Sequence, residues 1–186
     1  MERQSGTQPY VVIDGSYGEG GGQIVRTGLA LSIITGQPVE FRNIRARRPN
    51  PGLQPQHLTA VHAAATISQA RVEGAILGSS TLRFEPGEVE GGEFLFNVEE
   101  ISGMGSAGSV MLIAQTVIVP LALRGESARI ILMGGTHVGW SPGADYIRYV
   151  YLPALRHFGI DAELELEAAG FYPKGGGRCV LTVHPA

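Results

Sequence analysis

The chain has one cysteine, one lysine and one tryptophan in 186 residues. Cys179 alone excludes a disulfide framework and a cysteine zinc site. Within Arg178-Cys179-Val180-Leu181-Thr182-Val183, which reads as a strand, it is a buried packing thiol. Thirteen arginines stand against Lys174, so a lysine nucleophile of the kind that takes a nucleotidyl group could only be Lys174. Long apolar runs are also missing. Val110 to Leu123 is interrupted by Gln115, Thr116 and Pro120 and is too short to span a bilayer. Residues 1–9 lack the apolar core of a signal peptide. The sequence therefore reads as soluble and cytoplasmic, with no membrane partner. Net charge is only −3, so charge alone implies no general affinity for nucleic acid. At 44% hydrophobic and 17% charged, the composition is that of a globular protein.

Glycine is plentiful, 27 residues, and falls at junctions between short elements. The pattern predicts strand 10–13, helix 21–35, strand 39–44, loop 45–55, helix 56–69, and strands 71–76, 80–85 and 93–98. Helix 106–123, strand 128–133, loop 134–142, helix 143–158 and strands 161–168 and 178–183 follow. This order repeats with an offset of about 85–90 residues, right for a duplicated α/β unit. Residues 1–9 are expected to be a flexible N-terminus, 10–102 a first repeat starting its motif at Gly18, and 103–186 a second starting at Gly103. Equivalent loops of the two units should meet around one site. The last strand, 179–183, has one nearby charge, Arg178, and reads as a poorly protected sheet edge. Self-association, or a partner chain, is expected from it.

The most informative run is Asp14-Gly15-Ser16-Tyr17-Gly18-Glu19-Gly20-Gly21-Gly22-Gln23-Ile24-Val25-Arg26. Strand, glycine turn and helix is how backbone N–H groups are aimed at a phosphate. The Walker and Rossmann spacings are both absent. Glu19 would repel a polyphosphate unless a divalent cation lay between them. A helix starting near Gly21 would put Glu19, Gln23 and Arg26 on one stripe. A tight turn with a solvated Glu19 satisfies the same residues.

A second cluster, Arg45-Ala46-Arg47-Arg48-Pro49-Asn50-Pro51-Gly52-Leu53-Gln54-Pro55-Gln56-His57, forms an anion site stiffened by proline, or a solvated basic edge. His57 alone reads as packing or capping. Gln115, inside an apolar helix, must find a partner in the backbone or a ligand. Trp140 and Pro142 offer a flat apolar surface to a purine, although Trp140 serves equally as a core or rim residue. His137 has no partner at metal-ligand spacing. Phe171-Tyr172-Pro173-Lys174-Gly175-Gly176-Gly177 reads as a hairpin-like turn with a solvated lysine.

Together these motifs resemble the RNA 3′-terminal phosphate cyclase family. The likeness runs over residues 10–186. It includes Asp14-Gly15, Glu19 to Arg26, Ile44 to Arg48, Pro51-Gly52-Leu53, Gln56 to Val61 and Gly105 to Ser109. It continues through Gln115-Thr116, Gly134-Gly135-Thr136, Pro142, Ala144-Asp145 and Gly170 to Gly177. The resemblance implies an α/β fold (α+β, two-layer) of tandem βαβαββ repeats like the C-terminal domain of translation initiation factor 3. It implies ATP and Mg²⁺ or Mn²⁺ as cofactors and conversion of an RNA 3′-phosphate to a 2′,3′-cyclic phosphate through adenylated intermediates. By position, Glu19 would bind metal, and Glu19, Gln115, Pro142 and Asp145 the nucleotide. Arg26, Arg45, Arg48, Gln56 and His57 would hold the RNA phosphate. The family's nucleophilic histidine is expected outside this sequence, and His184 does not take its role. The competing readings are a nucleophile-free RNA-binding or ribosome-assembly module and, third, an enolpyruvyl-type transferase, whose lysines are missing here.

Overall fold

The computed structural model describes residues 9–98, 100, 107–125 and 127–186. The first unit runs β1 (Val11–Asp14), α1 (Gln23–Thr35), β2 (Val39–Arg42), α2 (Pro55–Ile67), β3 (Arg71–Glu73) and β4 (Leu82–Glu85). The second runs β5 (Gly92–Asn97), α3 (Val110–Arg124), β6 (Ala128–Gly134), α4 (144–156), β7 (Ala162–Ala168) and β8 (Gly177–Val183). The sheets have orders β1-β2-β4-β3 and β5-β6-β8-β7. In each, the first two strands are parallel across a helical crossover and the others antiparallel. This is a tandem βαβαββ, two-layer α+β fold.

Two expectations meet a different outcome. Strand β5, which a boundary at residue 102 groups with the first repeat, pairs along its length with β6. The break between the sheets falls between Glu85 and Gly92. Strand β8 is no edge: it lies between β6 and β7 and bonds to both. Its Cys179, Leu181 and Val183 are buried in the core, and so carry no charges. The N-terminal residues 1–8 and the Gly103 to Ser106 turn lie outside the described residues.

Sequence explains the layers. α3 is apolar round nearly its whole circumference, Gln115 and Thr116 apart, and Val110, Met111, Ile113, Ala114, Val117, Ile118 and Leu121 are all buried. A helix of that kind belongs at the centre, and α3 packs against α1, α2 and both β6 and β8. α1 ends on Gly36, left-handed at φ 70°, which only glycine adopts freely. α2 begins with Pro55 and a reciprocal cap between Gln54 and His57. The buried side chains of both units form one cluster. The open face of the first sheet is held by charge instead. Glu40 accepts from Arg42 Nε at 2.5 Å and from Arg83 Nε at 3.0 Å.

Helix α1 can approach β2 closely because Gly28 has no side chain. A Cβ there would sit 2.6 Å from the Phe41 ring and 3.0 Å from Ile13 Cδ1. Gly28→Ala should therefore lower stability by about 1–3 kcal/mol through overpacking, despite alanine's better helix propensity. Urea unfolding checks this; an unchanged or raised midpoint would show that α1 is free to stand off.

Candidate functional site

The glycine loop 15–22 and the arginine loop 43–54 face each other across the N-termini of α1 and α2. Gly22 has its missing side chain where the His57 ring lies: a Cβ would be 2.0 Å from His57 Nε2 and 3.1 Å from Arg26 Nη1. At Gly21, by contrast, a Cβ would make only an ordinary contact, 3.5 Å from Arg48 Nη2. Position 22 must be glycine for the His57 ring and Arg26 to pack beneath the loop.

Arg26, on α1, is 8% exposed, and its Nη2 donates to Gln23 Oε1 at 2.9 Å. Burial, then the charge of Arg45, pushes its pKa down to about 10. Arg45 stands at φ 54° and donates from Nη2 to the Asn50 carbonyl at 3.0 Å. Burial and the neighbouring Arg48 also hold it below the usual arginine value. The Nε atoms of Arg45 and Arg48 are buried with no hydrogen-bond partner among the described residues. His57 is 2% exposed, and its Nδ1 accepts from the Gln54 N–H at 3.1 Å. Burial first, then Arg45 and Arg26, push its pKa down to about 3. Guanidinium groups thus converge on a half-buried spot, an arrangement whose mutual repulsion an anion would relieve. Arg47 stands apart from them, exposed, its charge felt by Asp14.

Glu19 does not share a helical stripe with Gln23 and Arg26. Gly18 and Gly20, both at φ 59°, flank it in left-handed backbone, and α1 starts only at Gln23. Its carboxylate is 90% exposed and pairs with Arg48 Nη2 at 3.2 Å. The described residues contain no group of three or more His, Cys, Asp or Glu side chains that could hold a metal. A single carboxylate still suits Mg²⁺, which keeps several waters and takes further ligands from substrate phosphates.

Gln115, half-buried on α3, lines a groove with Gln23, Arg26, Thr27, Leu31 and Ile34. Pro142 precedes α4, and the Asp145 carboxylate lies 3.5 Å from His137 Nε2. No described contact joins Gln115 to Pro142 or Asp145. His137 also stacks on Phe171 with ring centroids 5.5 Å apart, and its Nδ1 lies 2.9 Å from Thr136 Oγ1. Gln56 Oε1 accepts from the Ser109 N–H at 3.4 Å, joining α2 to the start of α3. Gln56, in the first turn of α2, and residues 138–141 line one cavity, while no residue of the loop 45–55 does. Sequence reasoning gave Gly22, Ser109 and Tyr172 no site role, although all three lie in the runs that carry the family resemblance. No helix of the described residues is long and apolar enough to cross a membrane.

The RNA 3′-terminal phosphate cyclase family model matches residues 17–186. A protein of that name from Archaeoglobus fulgidus is 51% identical over 176 residues, covering 95% of this chain and 52% of the relative. Its namesake from Methylococcus capsulatus is 54% identical over 172 residues, 92% and 48% of the two chains. That from Pyrococcus furiosus is 49% identical over 175 residues, 94% and 49%. The chain thus spans about half the length of the curated relatives it matches. With the arginine loop and every element from α1 to β8 inside the matched region, the chain belongs to the RNA 3′-terminal phosphate cyclase family.

Proposed function

We propose that this chain binds an RNA 3′-phosphate at Arg26, Arg45, Arg48 and His57 and serves its ATP-dependent conversion to a 2′,3′-cyclic phosphate. The observation that carries the reading is the gathering of three guanidinium groups and one imidazole around two unpartnered Nε–H donors. A phosphate offers the acceptors those donors lack, and its charge relieves their mutual repulsion. Gln56, next to His57, would steady the sugar-phosphate that follows. ATP, when bound, supplies the activating group that makes the 3′-phosphate open to its neighbouring 2′-hydroxyl. Glu19 would hold Mg²⁺ or Mn²⁺ at the open rim of the glycine loop. Gln115, Pro142 and Asp145 would line the nucleotide's side.

The remaining parts of the reaction would come from the portion of the relatives' length that this sequence does not span. The groove of α1 and α3 supports that. It is polar at Gln23, Arg26 and Gln115 and apolar at Ala30, Leu31, Ile34 and Val119, with Leu31 54% exposed. Such a face is suited to being covered beside a polar site.

The test compares RNA ending in a 3′-phosphate with the same RNA ending in a 3′-hydroxyl, by fluorescence anisotropy. The phosphate form should bind more tightly. Arg45→Ala or Arg48→Ala should each remove about 1–3 kcal/mol of that binding, and exposed Arg47→Ala distinctly less. Equal affinity for the two ends, or equal effects of all three substitutions, would overturn the reading.

A further inference from the structure

Beside the arginine cluster, sharing only Leu112 with the lining of the Gln115 groove, lies a cavity of about 640 Å³. It is lined by Gln56, Ser109, Leu112, Val138, Trp140 and Tyr172, among others. That volume is within the range of about 300–1,000 Å³ found for ligand sites. Its aromatic members are displayed, not packed. Trp140 is 105% exposed and Tyr172 81%. Trp140 also sits at φ 63°, in the left-handed region that bulky residues avoid. Backbone strain that displays an apolar ring to solvent is kept where the ring has something to meet.

The cavity's polar side is equally unfinished. Ser109 is 1% exposed, and its Oγ has no hydrogen-bond partner among the described residues. A buried hydroxyl without a partner is disfavoured, and here it belongs to a residue that lines a cavity a ligand could fill. Gln56 spends its Oε1 on the Ser109 N–H, leaving its Nε2 donors with no described partner. Two exposed aromatic faces lining the same cavity as a hydroxyl and an amide match a nucleobase, which has a π-face to stack and a polar edge to bond. Gln56 and His57 are consecutive, so the base cavity and the phosphate cluster share the first turn of α2.

We infer that this cavity is a base-stacking subsite for a nucleotide of the RNA 3′ end, with Trp140 and Tyr172 as platforms and Gln56 and Ser109 as the polar edge. The inference rests on the RNA-end reading above. An RNA base is favoured over the adenine of ATP because none of the expected nucleotide contacts, Glu19, Gln115, Pro142 and Asp145, lines this cavity, while Gln56, an expected RNA contact, does.

Trp140 is the chain's one tryptophan, so its fluorescence reports the site directly. The probes are short single-stranded oligoribonucleotides with a 3′-phosphate, either intact or abasic at the terminal nucleotides, the same oligonucleotide with a 3′-hydroxyl, and ATP alone. Intact RNA should quench Trp140, while abasic RNA and ATP leave it nearly unchanged. Trp140→Leu or Tyr172→Leu should weaken intact RNA by about 5- to 100-fold and abasic RNA by less than about twofold. Trp140 is exposed, so its loss leaves the fold intact. If abasic RNA binds as well as intact RNA, or if ATP quenches as strongly as RNA, the subsite is refuted. If quenching persists but the 3′-phosphate preference is missing, the phosphate reading fails and the stacking subsite stands.

Discussion

Gly52→Ala is expected to destabilise the protein by about 2–5 kcal/mol, combining a left-handed backbone penalty with overpacking against a main chain. Gly52 stands at φ 75°, and a Cβ on it would lie 2.2 Å from the Gly78 carbonyl oxygen. That oxygen cannot retreat as a side chain would. The Gly78 N–H donates to the Leu53 carbonyl at 2.8 Å, and the Leu53 N–H to Ser79 at 3.0 Å. The Gly52 N–H donates to Ile44 at 2.9 Å, and the Ile44 N–H to Ser80 at 2.9 Å. Ile44 and Leu53 are both fully buried. These bonds fasten both ends of the loop that carries Arg45 and Arg48, so the substitution should also weaken phosphate binding. Gly78→Ala is the control. Its φ is 77°, but a Cβ there meets nothing within 4 Å, leaving only the backbone penalty of about 1–2 kcal/mol. Urea unfolding of the two variants checks the difference, and equal losses would show that the contact at Gly52 relaxes.

The repeat was legible because its signals are local. Glycines and prolines mark the junctions, and apolar spacing separates helices from strands. α3 is legible as a central helix from its unbroken apolar surface, apart from Gln115 and Thr116. Pairing is another matter. Nothing in Gly92 to Asn97 states that its partner is β6 and not β4, because strand propensity describes a pleated surface and not the neighbour across it. The same holds for β8, whose apolar run fits an unprotected edge and a buried interior strand alike. The change to a π-turn over Ile147–Tyr151 inside α4 left no composition signal either.

At the site, chemistry was readable and geometry was not. Three arginines in four residues announce an anion. Which two of them turn inward depends on Asn43 and Arg45 both adopting positive φ, at 53° and 54°. Glu19 missed its expected stripe because two glycines beside it took left-handed conformations that glycine permits but does not require. The Gln56–Ser109 bond joins residues 53 apart in sequence, and only the docking of the two units creates it. The loop's close approach to His57 likewise depends on which glycine of the run faces the ring, and that is Gly22.

Acid should weaken the fold through His57. Burial, with Arg45 and Arg26 nearby, pushes its pKa down to about 3 from the ordinary 6.5. The folded chain keeps this ring neutral, and the unfolded chain protonates it below pH 6.5. Between those values the unfolded state holds the extra proton, so stability falls as pH falls, by about 1.4 kcal/mol per pH unit for this one group. Above pH 6.5 His57 contributes no slope. Glu40 and Asp14, both held below the usual carboxylate range by hydrogen bonds, weaken the fold in the same direction at lower pH. Comparison with His57→Gln separates the terms: urea midpoints of the wild type should fall more steeply from pH 6.5 to pH 5 than those of the variant. Inorganic phosphate should flatten the wild-type slope, because an anion beside Arg26 and Arg45 favours the charged imidazole and raises its folded pKa. Parallel slopes in wild type and variant, or a His57 ring that titrates near 6.5 by NMR, would show that the ring is solvated and that the basic cluster does not close over it.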